Sequence, residues 1–365
     1  MLDRVEAFHV RVPFLRSFVT AAGAVSARSS WIVRLHDREG RSGVGEVALA
    51  PGSTAAAETR VGVALRELLR SSVSGISPEW TERGSAEWRA VRAGWDVALE
   101  DLISAAAAGR APGAGRSVAA RSVSVAVNAT LEISSTQDAV SAATVAVAAG
   151  FECLKLKIGP EERATIVERV RAIRAAVGPG VGLRVDANES WDYDTAAGLV
   201  ADLASFDLEY VEQPLSRGDL DGHARLRRNS AVRIALDESI DSEEAASAAI
   251  RAGAADVLVV KPARVGGPAV VRSIAALAAA ARVPIVLSTF FETGVGTAAA
   301  VRSASELPRS GLALAHGLAT AGLLEHDLLV DSCPLTGGRI FLPTRVALDD
   351  EALRHYTVET LGTAP

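Results

Sequence analysis

Six charged side chains stand at the ends of short apolar segments in the middle of the sequence. They are Lys155, Lys157, Asp186, Glu212, Asp237 and Lys261. From Lys157 onward, successive members are 24 to 29 residues apart, which is about the length of one strand and one helix with their loops. Parallel strands of a barrel end at one mouth, so this spacing predicts that the six side chains converge there.

Three of these side chains are carboxylates that could bind a metal ion. Asp186, Glu212 and Asp237 each follow an apolar run, so we expect them to be at least partly buried. Buried carboxylates that face one another repel and take up protons unless a cation neutralises them. An all-oxygen ligand set favours Mg²⁺, with Mn²⁺ as a substitute, and disfavours Zn²⁺. A single Asp at such a position would fit a helix N-cap equally well, whereas three on consecutive strands favour a metal site.

The other three are the only lysines among the 38 basic residues of the chain. Arginine stays protonated in proteins, whereas a crowded or buried lysine can lose its proton, so these lysines are candidate acid and base groups. Lys155 and Lys157 are two residues apart on one strand and therefore face the same side. Lys261 follows a strand roughly opposite in an eight-stranded barrel. With a metal ion, these groups predict removal of a proton α to a carboxylate, with the ion stabilising the enolate.

Eight strand-like segments separated by helical segments predict an α/β fold with a closed parallel barrel rather than an open sheet. They are SVSVAVNA from Ser122, CLKLKIG from Cys153, GLRVDAN from Gly182, LEYVEQP from Leu208, RIALDES from Arg233, VLVVKPA from Val257, PIVLSTF from Pro284 and LALAHGL from Leu312.

The sequence divides into three parts. Residues 1–115 contain strand-like segments and two helical ones and predict the N-terminal part of an α+β module, which ends in a glycine-containing linker from Gly109. Residues 116–334 predict the barrel with the active site. Residues 335–365 show strand and turn signals, and we expect them to return to the first module.

The overall composition limits the classes of partner. A formal net charge of −6 over 365 residues argues against a nucleic-acid or anionic-membrane surface, so we expect a small-molecule partner. No apolar run reaches the roughly 18 residues of a membrane helix, and the N-terminal segment differs from signal and transit peptides. Two cysteines do not indicate a disulfide framework, so we expect the cytoplasm. Monomer and homo-oligomer both stay open.

Several segments, taken in their order along the chain, resemble the muconate-lactonising subgroup of the enolase superfamily. They are GVGEVALAP, LKLKIG, RVDAN, YVEQPL, IALDESI, VVKPARVGG and FFETGVG. The resemblance implies a (βα)7β barrel of the TIM type, capped by an α+β domain built from both chain ends. It also implies a Mg²⁺ ion bound by Asp186, Glu212 and Asp237.

The same resemblance assigns roles to the residues around the metal ligands. It implies that Lys157 and Lys261 flank a carboxylate substrate and act in catalysis. It implies that Lys155 supports its neighbour electrostatically and that Asn188 and Glu238 surround the metal ligands without binding the ion.

Within the subgroup, the segments VNAT, DLDGHARL, LDESI and HGLATAGLL look most like the o-succinylbenzoate synthase family. That likeness implies dehydration of 2-succinyl-6-hydroxy-2,4-cyclohexadiene-1-carboxylate in menaquinone biosynthesis, with Lys157 moving the proton and Lys261 stabilising the enolate. The resemblance is shared with N-acylamino-acid racemases, in which both lysines act as acid and base. Phe290 and Phe291, where a racemase-like sequence more often has Met and Ile, weaken that alternative without excluding it, as does the lack of a clear Asp-x-Asp on the last strand.

A further group of residues is a candidate for contacting the distal part of the substrate. Phe14, Arg16 and Phe18 lie in a segment that could cover the barrel mouth, although packing between domains is nearly as good an interpretation. Ser288 and Thr289 end the seventh strand and could bind a carboxylate or cap the next helix. Phe290 follows them in the same segment and completes the group.

Two other functions compete with the metal-dependent one. A Schiff-base aldolase could use Lys261 as its nucleophile, but three acidic strand ends would have no purpose in it. A catalytically silent relative could bind a metal or a partner, but the retained lysines argue against it.

Overall fold

The computed structural model of the chain describes residues 2–20, 23–73, 84–107, 109, 116–117, 123–131, 135–159, 161–308, 313–343 and 345–362. All structural statements below concern these residues.

The strands, in chain order, are β1 Leu2–Thr20, β2 Gly23–Asp37, β3 Ser42–Val47, β4 Arg116–Ser117, β5 Ser124–Ala126, β6 Ala129–Leu131, β7 Cys153–Lys157, β8 Gly182–Asp186, β9 Tyr210–Glu212, β10 Ile234–Leu236, β11 Val257–Val260, β12 Ile285–Leu287, β13 Leu335–Thr336, β14 Arg339–Phe341, β15 Arg345–Val346 and β16 Thr357–Gly362. The α-helices are α1 Ala55–Val73, α2 Ala86–Ala107, α3 Thr136–Ala148, α4 Arg163–Val177, α5 Tyr193–Leu203, α6 Leu220–Asn229, α7 Glu243–Ala252, α8 Pro262–Val265, α9 Pro268–Ala280, α10 Gly294–Ser305 and α11 Asp350–Tyr356. Short 3₁₀ helices span Ala204–Phe206 and Ala321–Leu323.

The capping domain is built on a four-stranded antiparallel sheet with the order β16-β1-β2-β3. Side chains alternate between the two faces of the long hairpin β1–β2. Trp31 and Val33 pack with α1 and α2 on one face, whereas Val12 and Ile32 join a core that includes Val295 of α10 on the other. This sheet is therefore held between its own helices and the barrel.

Glycines in β3 allow helix α2 to approach the sheet very closely. A Cβ atom on Gly45 would lie 2.0 Å from the carbonyl oxygen of Gly94, and one on Gly43 would lie 2.1 Å from that of Ala98. No larger side chain fits at these contacts. These contacts fix the position of β3 relative to α2. They therefore also fix the position of Glu46, which follows Gly45.

Seven parallel strands form the barrel sheet, in the order β6-β7-β8-β9-β10-β11-β12. Its two edges are joined through an eighth segment, in which His316 bridges Val127 and Gly317 bridges Ser288. His316 also accepts a hydrogen bond from the Leu287 amide through Nδ1 (3.0 Å), which places this histidine at the seam. The expected barrel with an α+β capping domain is confirmed.

Some segment predictions differ from the structure. The strand predicted from Ser122, a residue outside the described ranges, divides in two, because β5 pairs antiparallel with β14 while β6 pairs parallel with β7. The strand predicted from Leu312, also outside those ranges, is reduced to bridges at His316 and Gly317. The linker predicted from Gly109 falls mostly on residues 110–115, which lie outside the described ranges.

The segment after residue 334 contacts both parts of the molecule. β13 and β14 extend a small sheet with β5, and β15 pairs with β4, whereas β16 pairs with β1 of the capping domain. The domain boundaries at residues 115 and 334 stay a proposal. Among the helices described, none is both long and apolar enough to cross a membrane.

Candidate active site

The ends of adjacent barrel strands bring acidic and basic side chains together. Asp186 ends β8 and Glu212 ends β9, and the two are direct partners in the register of the sheet. Asp237 follows β10 directly, and Lys261 follows β11 directly. These four side chains are buried. Lys157 ends β7 opposite Asp186 and is exposed.

Lys155 neutralises two of the carboxylates. Its Nζ atom lies 2.8 Å from Oδ2 of Asp186 and 2.6 Å from Oε1 of Glu212. Burial opposes the charged form of Lys155, but the carboxylates of Asp186 and Glu212 outweigh it and raise the pKa of this ammonium well above its ordinary value. The two carboxylates therefore favour the charged form of Lys155.

Burial and the neighbouring Asp186 carboxylate raise the pKa of Glu212 to about 7, although Lys155 opposes the shift. Oε2 of Glu212 is buried and has no hydrogen-bond partner among the described residues. The site therefore contains negative charge that the protein cations do not fully compensate.

Asp237 faces two cations. Nζ of Lys261 contacts its Oδ2 atom, and Nη1 of Arg264 donates to its Oδ1 atom (2.6 Å) and to its backbone carbonyl (2.7 Å). Burial works against the charge of Asp237, yet Arg264, followed by Lys261, holds the pKa of this carboxyl well below its usual range. Burial is the main cause of a lowered pKa of Lys261, and the cation Arg264 acts in the same direction.

The three carboxylates fit a hard divalent cation by their chemistry. Within the described part of the chain, no three His, Cys, Asp or Glu side chains are grouped as ligands of a metal ion; the carboxylates contact Lys155, Lys261 and Arg264 instead. However, the donors are all oxygen atoms, and the unpartnered Oε2 of Glu212 is a buried acceptor of the kind that Mg²⁺ binds.

Asn188 and Glu238 lie beside this row of carboxylates. The Asn188 amide N–H donates to Oδ1 of Asp186 (3.1 Å), and its side chain donates to Oε1 of Glu238 (3.1 Å). Burial and the nearby Asp237 carboxylate raise the pKa of Glu238. The two side chains thus connect the loops that follow β8 and β10.

The residues predicted to contact the substrate have different surroundings. Phe14 is buried and packs edge-on against Phe291, with ring centres 5.9 Å apart. Arg16 is exposed, and the side chain of Phe18 is outside the described part. The phenyl ring of Phe290 lies 5.5 Å from Nζ of Lys261 and 5.0 Å from the guanidinium carbon of Arg264.

The hydroxyl groups at the end of the seventh strand have partners within the protein. Ser288 Oγ donates to the carbonyl of Gly317 (3.4 Å), and Thr289 Oγ1 shares a hydrogen bond with Thr320 Oγ1 (2.7 Å). Thr289 is buried. The cap of the following helix is neither of these residues but Thr293.

Sequence reasoning missed Gln213 and Arg264. The buried Gln213 side chain accepts from the backbone N–H groups of Asp237 (2.9 Å) and Ser239 (3.1 Å), and its own amide donates to the Leu215 carbonyl (3.0 Å). It thereby fixes the loop that carries Asp237. The sequence offered one signal for each residue. Gln213 directly follows Glu212, and Arg264 lies three residues after Lys261.

The chain is similar to a known protein family and to several characterised proteins. A family model described as enolase C-terminal domain-like matches residues 138–350. The o-succinylbenzoate synthase of Thermobifida fusca is 40% identical over 238 residues, which are 64% of this chain and 71% of that protein. The N-succinylamino acid racemase of an Amycolatopsis species is 38% identical over 195 residues, 53% of this chain and 51% of that protein.

A solved structure is similar over the whole chain. The probable mandelate racemase of Alicyclobacillus acidocaldarius has 26% sequence identity and a TM-score of 0.82, with 100% of this chain and 99% of that one covered. The likeness therefore includes the capping domain as well as the barrel.

Proposed function

Because the chain belongs to the enolase superfamily, we propose that it is a Mg²⁺-dependent o-succinylbenzoate synthase. The reaction is dehydration of 2-succinyl-6-hydroxy-2,4-cyclohexadiene-1-carboxylate, a step of menaquinone biosynthesis in the cytoplasm. The likeness to the Thermobifida fusca enzyme carries this proposal. It is supported by the row of acidic strand ends with a lysine at β7 and another after β11.

In this proposal, Lys157 moves the proton. Its exposed amine at the end of β7 accepts the proton on the carbon next to the substrate carboxylate and then gives it to the departing hydroxyl group. The carbon–oxygen bond breaks, one water molecule leaves, and the electron pair completes the aromatic ring. No oxidant or reductant is needed.

The remaining charged groups hold the substrate and the negative charge that develops on it. Asp186, Glu212 and Asp237 would bind Mg²⁺, which supplies positive charge beside the substrate carboxylate. Lys261 would add a second positive charge. Its burial beside Asp237 gives the side-chain amine a fixed position. Lys155 holds Asp186 and Glu212 in place through its two short contacts.

The test is conversion of the cyclohexadiene substrate, followed by the ultraviolet absorbance of o-succinylbenzoate with and without Mg²⁺. Lys157→Ala should lower kcat by about 10²- to 10⁴-fold, the contribution of a positioned general base, and should still bind Mg²⁺ by calorimetry. Arg228→Ala removes an exposed cation on α6 and should leave kcat unchanged. Undiminished catalysis by Lys157→Ala would reject the assignment.

Racemisation of N-succinyl amino acids is a second candidate activity. It is favoured by the Amycolatopsis relative and by the presence of two lysines, which a racemase would use alternately. The same preparation should be assayed with an N-succinyl amino acid in deuterium oxide. An enzyme that exchanges and racemises this substrate but leaves the cyclohexadiene untouched would replace the first proposal with the second.

A further inference from the structure

Glu46 of the capping domain makes hydrogen bonds across the domain boundary to helix α10. Its buried carboxylate accepts from the Thr293 backbone N–H (3.0 Å), from Thr293 Oγ1 (2.7 Å) and from the Gly296 N–H (3.1 Å). Within its own domain it also accepts from Ser30 Oγ (2.7 Å). Through the three hydrogen bonds from Thr293 and Gly296, this side chain ties the start of α10 to the capping domain.

Both sides of this contact are rigid. Glu46 directly follows Gly45, whose backbone is pressed against α2. On the barrel side, a Cβ atom on Gly296 would lie 2.6 Å from Cβ of Glu292 and 3.1 Å from Oε2 of Glu46. Position 296 therefore needs a glycine for the carboxylate to reach the helix.

The segment just before α10 reaches the lysine site. The phenyl ring of Phe290 contacts Lys261 and Arg264 and packs in one small cluster with Ala48 and Ala263. Ala48 is two residues after Glu46, and Ala263 is two residues after Lys261. The ring is thus enclosed between the end of β3 and the segment that carries Lys261.

The backbone of this segment is strained. Phe291 has a φ angle of 62°, a left-handed conformation that is unfavourable for a bulky residue and persists only where the surroundings impose it. Glu292 accepts a hydrogen bond from the Phe290 N–H through Oε2. An anchor at Thr293 is therefore needed to keep the residues before it in this shape.

We propose that Glu46 is a positioning residue, which caps α10 across the domain boundary and thereby holds Phe290 against Lys261. The capping domain then sets the position of a site lysine without touching it. The effect on catalysis rests on the function proposed above, whereas the effect on the segment does not.

The first experiment measures hydrogen exchange of the peptide covering residues 288–297 in the full chain without substrate. Glu46→Gln replaces one of the two acceptor oxygens by an NH₂ group, so the oxygen that remains can accept from Ser30 or from the start of α10 but not from both. The contact is weakened, and exchange should be at least tenfold faster. Glu87→Gln is the matched control, because Glu87 is a buried carboxylate that bonds Arg60 inside the capping domain (2.6 Å). It should leave this peptide unchanged.

The second experiment measures kcat and KM with whichever of the two substrates the wild type converts. Glu46→Gln should lower kcat at least tenfold with KM changed by less than threefold, because the position of Lys261 affects the reacting charge rather than binding. Thr293→Val removes one hydroxyl donor and should give smaller changes in the same direction, which keeps the test valid should Glu46→Gln fail to fold.

The outcomes separate this inference from the proposed function. Unchanged exchange in both Glu46→Gln and Thr293→Val would overturn it, as would faster exchange with an unchanged kcat. A wild type that converts neither substrate would reject the proposed function, while the exchange experiment would still decide whether Glu46 anchors the segment.

Discussion

Replacement of Glu292 by Gln should remove a measurable component of the pH dependence of stability. Glu292 is fully buried at the domain boundary, where burial is the main cause that raises the pKa of its carboxyl to about 7. Of the charged groups that face it, Arg28 opposes the shift and Glu46 adds to it. Gln has the same shape and keeps an acceptor for the Phe290 N–H, but it does not titrate.

The magnitude follows from the difference between the folded and the unfolded pKa. The pKa rises from an ordinary 4.5 to about 7, and one pH unit corresponds to about 1.4 kcal/mol, which gives roughly 3 kcal/mol. Because the folded pKa is the higher one, the folded state favours the protonated form. The stabilisation is thus fully present below pH 4.5 and is lost as the pH rises through about 7.

The assay is urea unfolding of wild type and Glu292→Gln at pH 5 and pH 8, with a chelator present so that metal binding does not contribute. Between the two pH values, the wild type should lose about 2 to 3 kcal/mol more free energy of unfolding than the variant. Glu306→Gln, an exposed carboxylate at the other end of α10, should behave like the wild type.

Parallel pH profiles for wild type and Glu292→Gln would refute this reasoning. They would mean that the carboxyl of Glu292 is not sufficiently desolvated to shift its titration, or that Arg28 compensates the burial completely. A variant that loses more stability than the wild type at high pH would reverse the sign and contradict the argument as well.

Two further substitutions test the scaffold of the site, each measured by urea unfolding against a matched control. Gln213→Ala leaves two buried backbone N–H groups without acceptors and should lower the free energy of unfolding by about 3 kcal/mol, whereas Gln137→Ala on the exposed start of α3 should cost under about 0.5 kcal/mol. Gly45→Ala puts a Cβ atom 2.0 Å from the Gly94 carbonyl oxygen and should cost about 3 kcal/mol or more. Gly180→Ala, with no atom within 4 Å of the added Cβ, should be nearly neutral.

The barrel could be predicted from the sequence because each of its units repeats the same local pattern. An apolar strand, a charged residue at its end and an amphipathic helix recur at nearly constant spacing. Which strands pair with one another is harder to predict from the sequence. The apolar alternation from Ser122 continues without a break, although β5 and β6 pair with different strands, because alternation reports which face is buried and not what it pairs with.

The charged residues of the candidate site could be named from the sequence for the same reason, since Asp186 and Glu212 end neighbouring strands and the sheet register aligns them. Their roles in binding and catalysis stay proposals. Arg264 was missed because arginine is the ordinary cation of this chain, so that nothing in its type marks it. Gln213 was missed because a neutral amide acquires its importance only from the loop that folds around it.

Long-range contacts between the domains are the part that no local pattern could reveal. Glu46 and Thr293 are 247 residues apart. Glu46 lies near the end of a strand and Thr293 at the start of a helix, and neither local sequence pattern indicates a partner in the other domain. The Thr293 hydroxyl caps its helix by accepting a long hydrogen bond from the Val295 N–H (3.3 Å). A barrel without the capping domain would leave the Gly296 N–H unpaired, together with a strained Phe291 beside it. The end of the seventh barrel strand therefore depends on the capping domain for its shape, which is why the two domains should unfold and function as one unit.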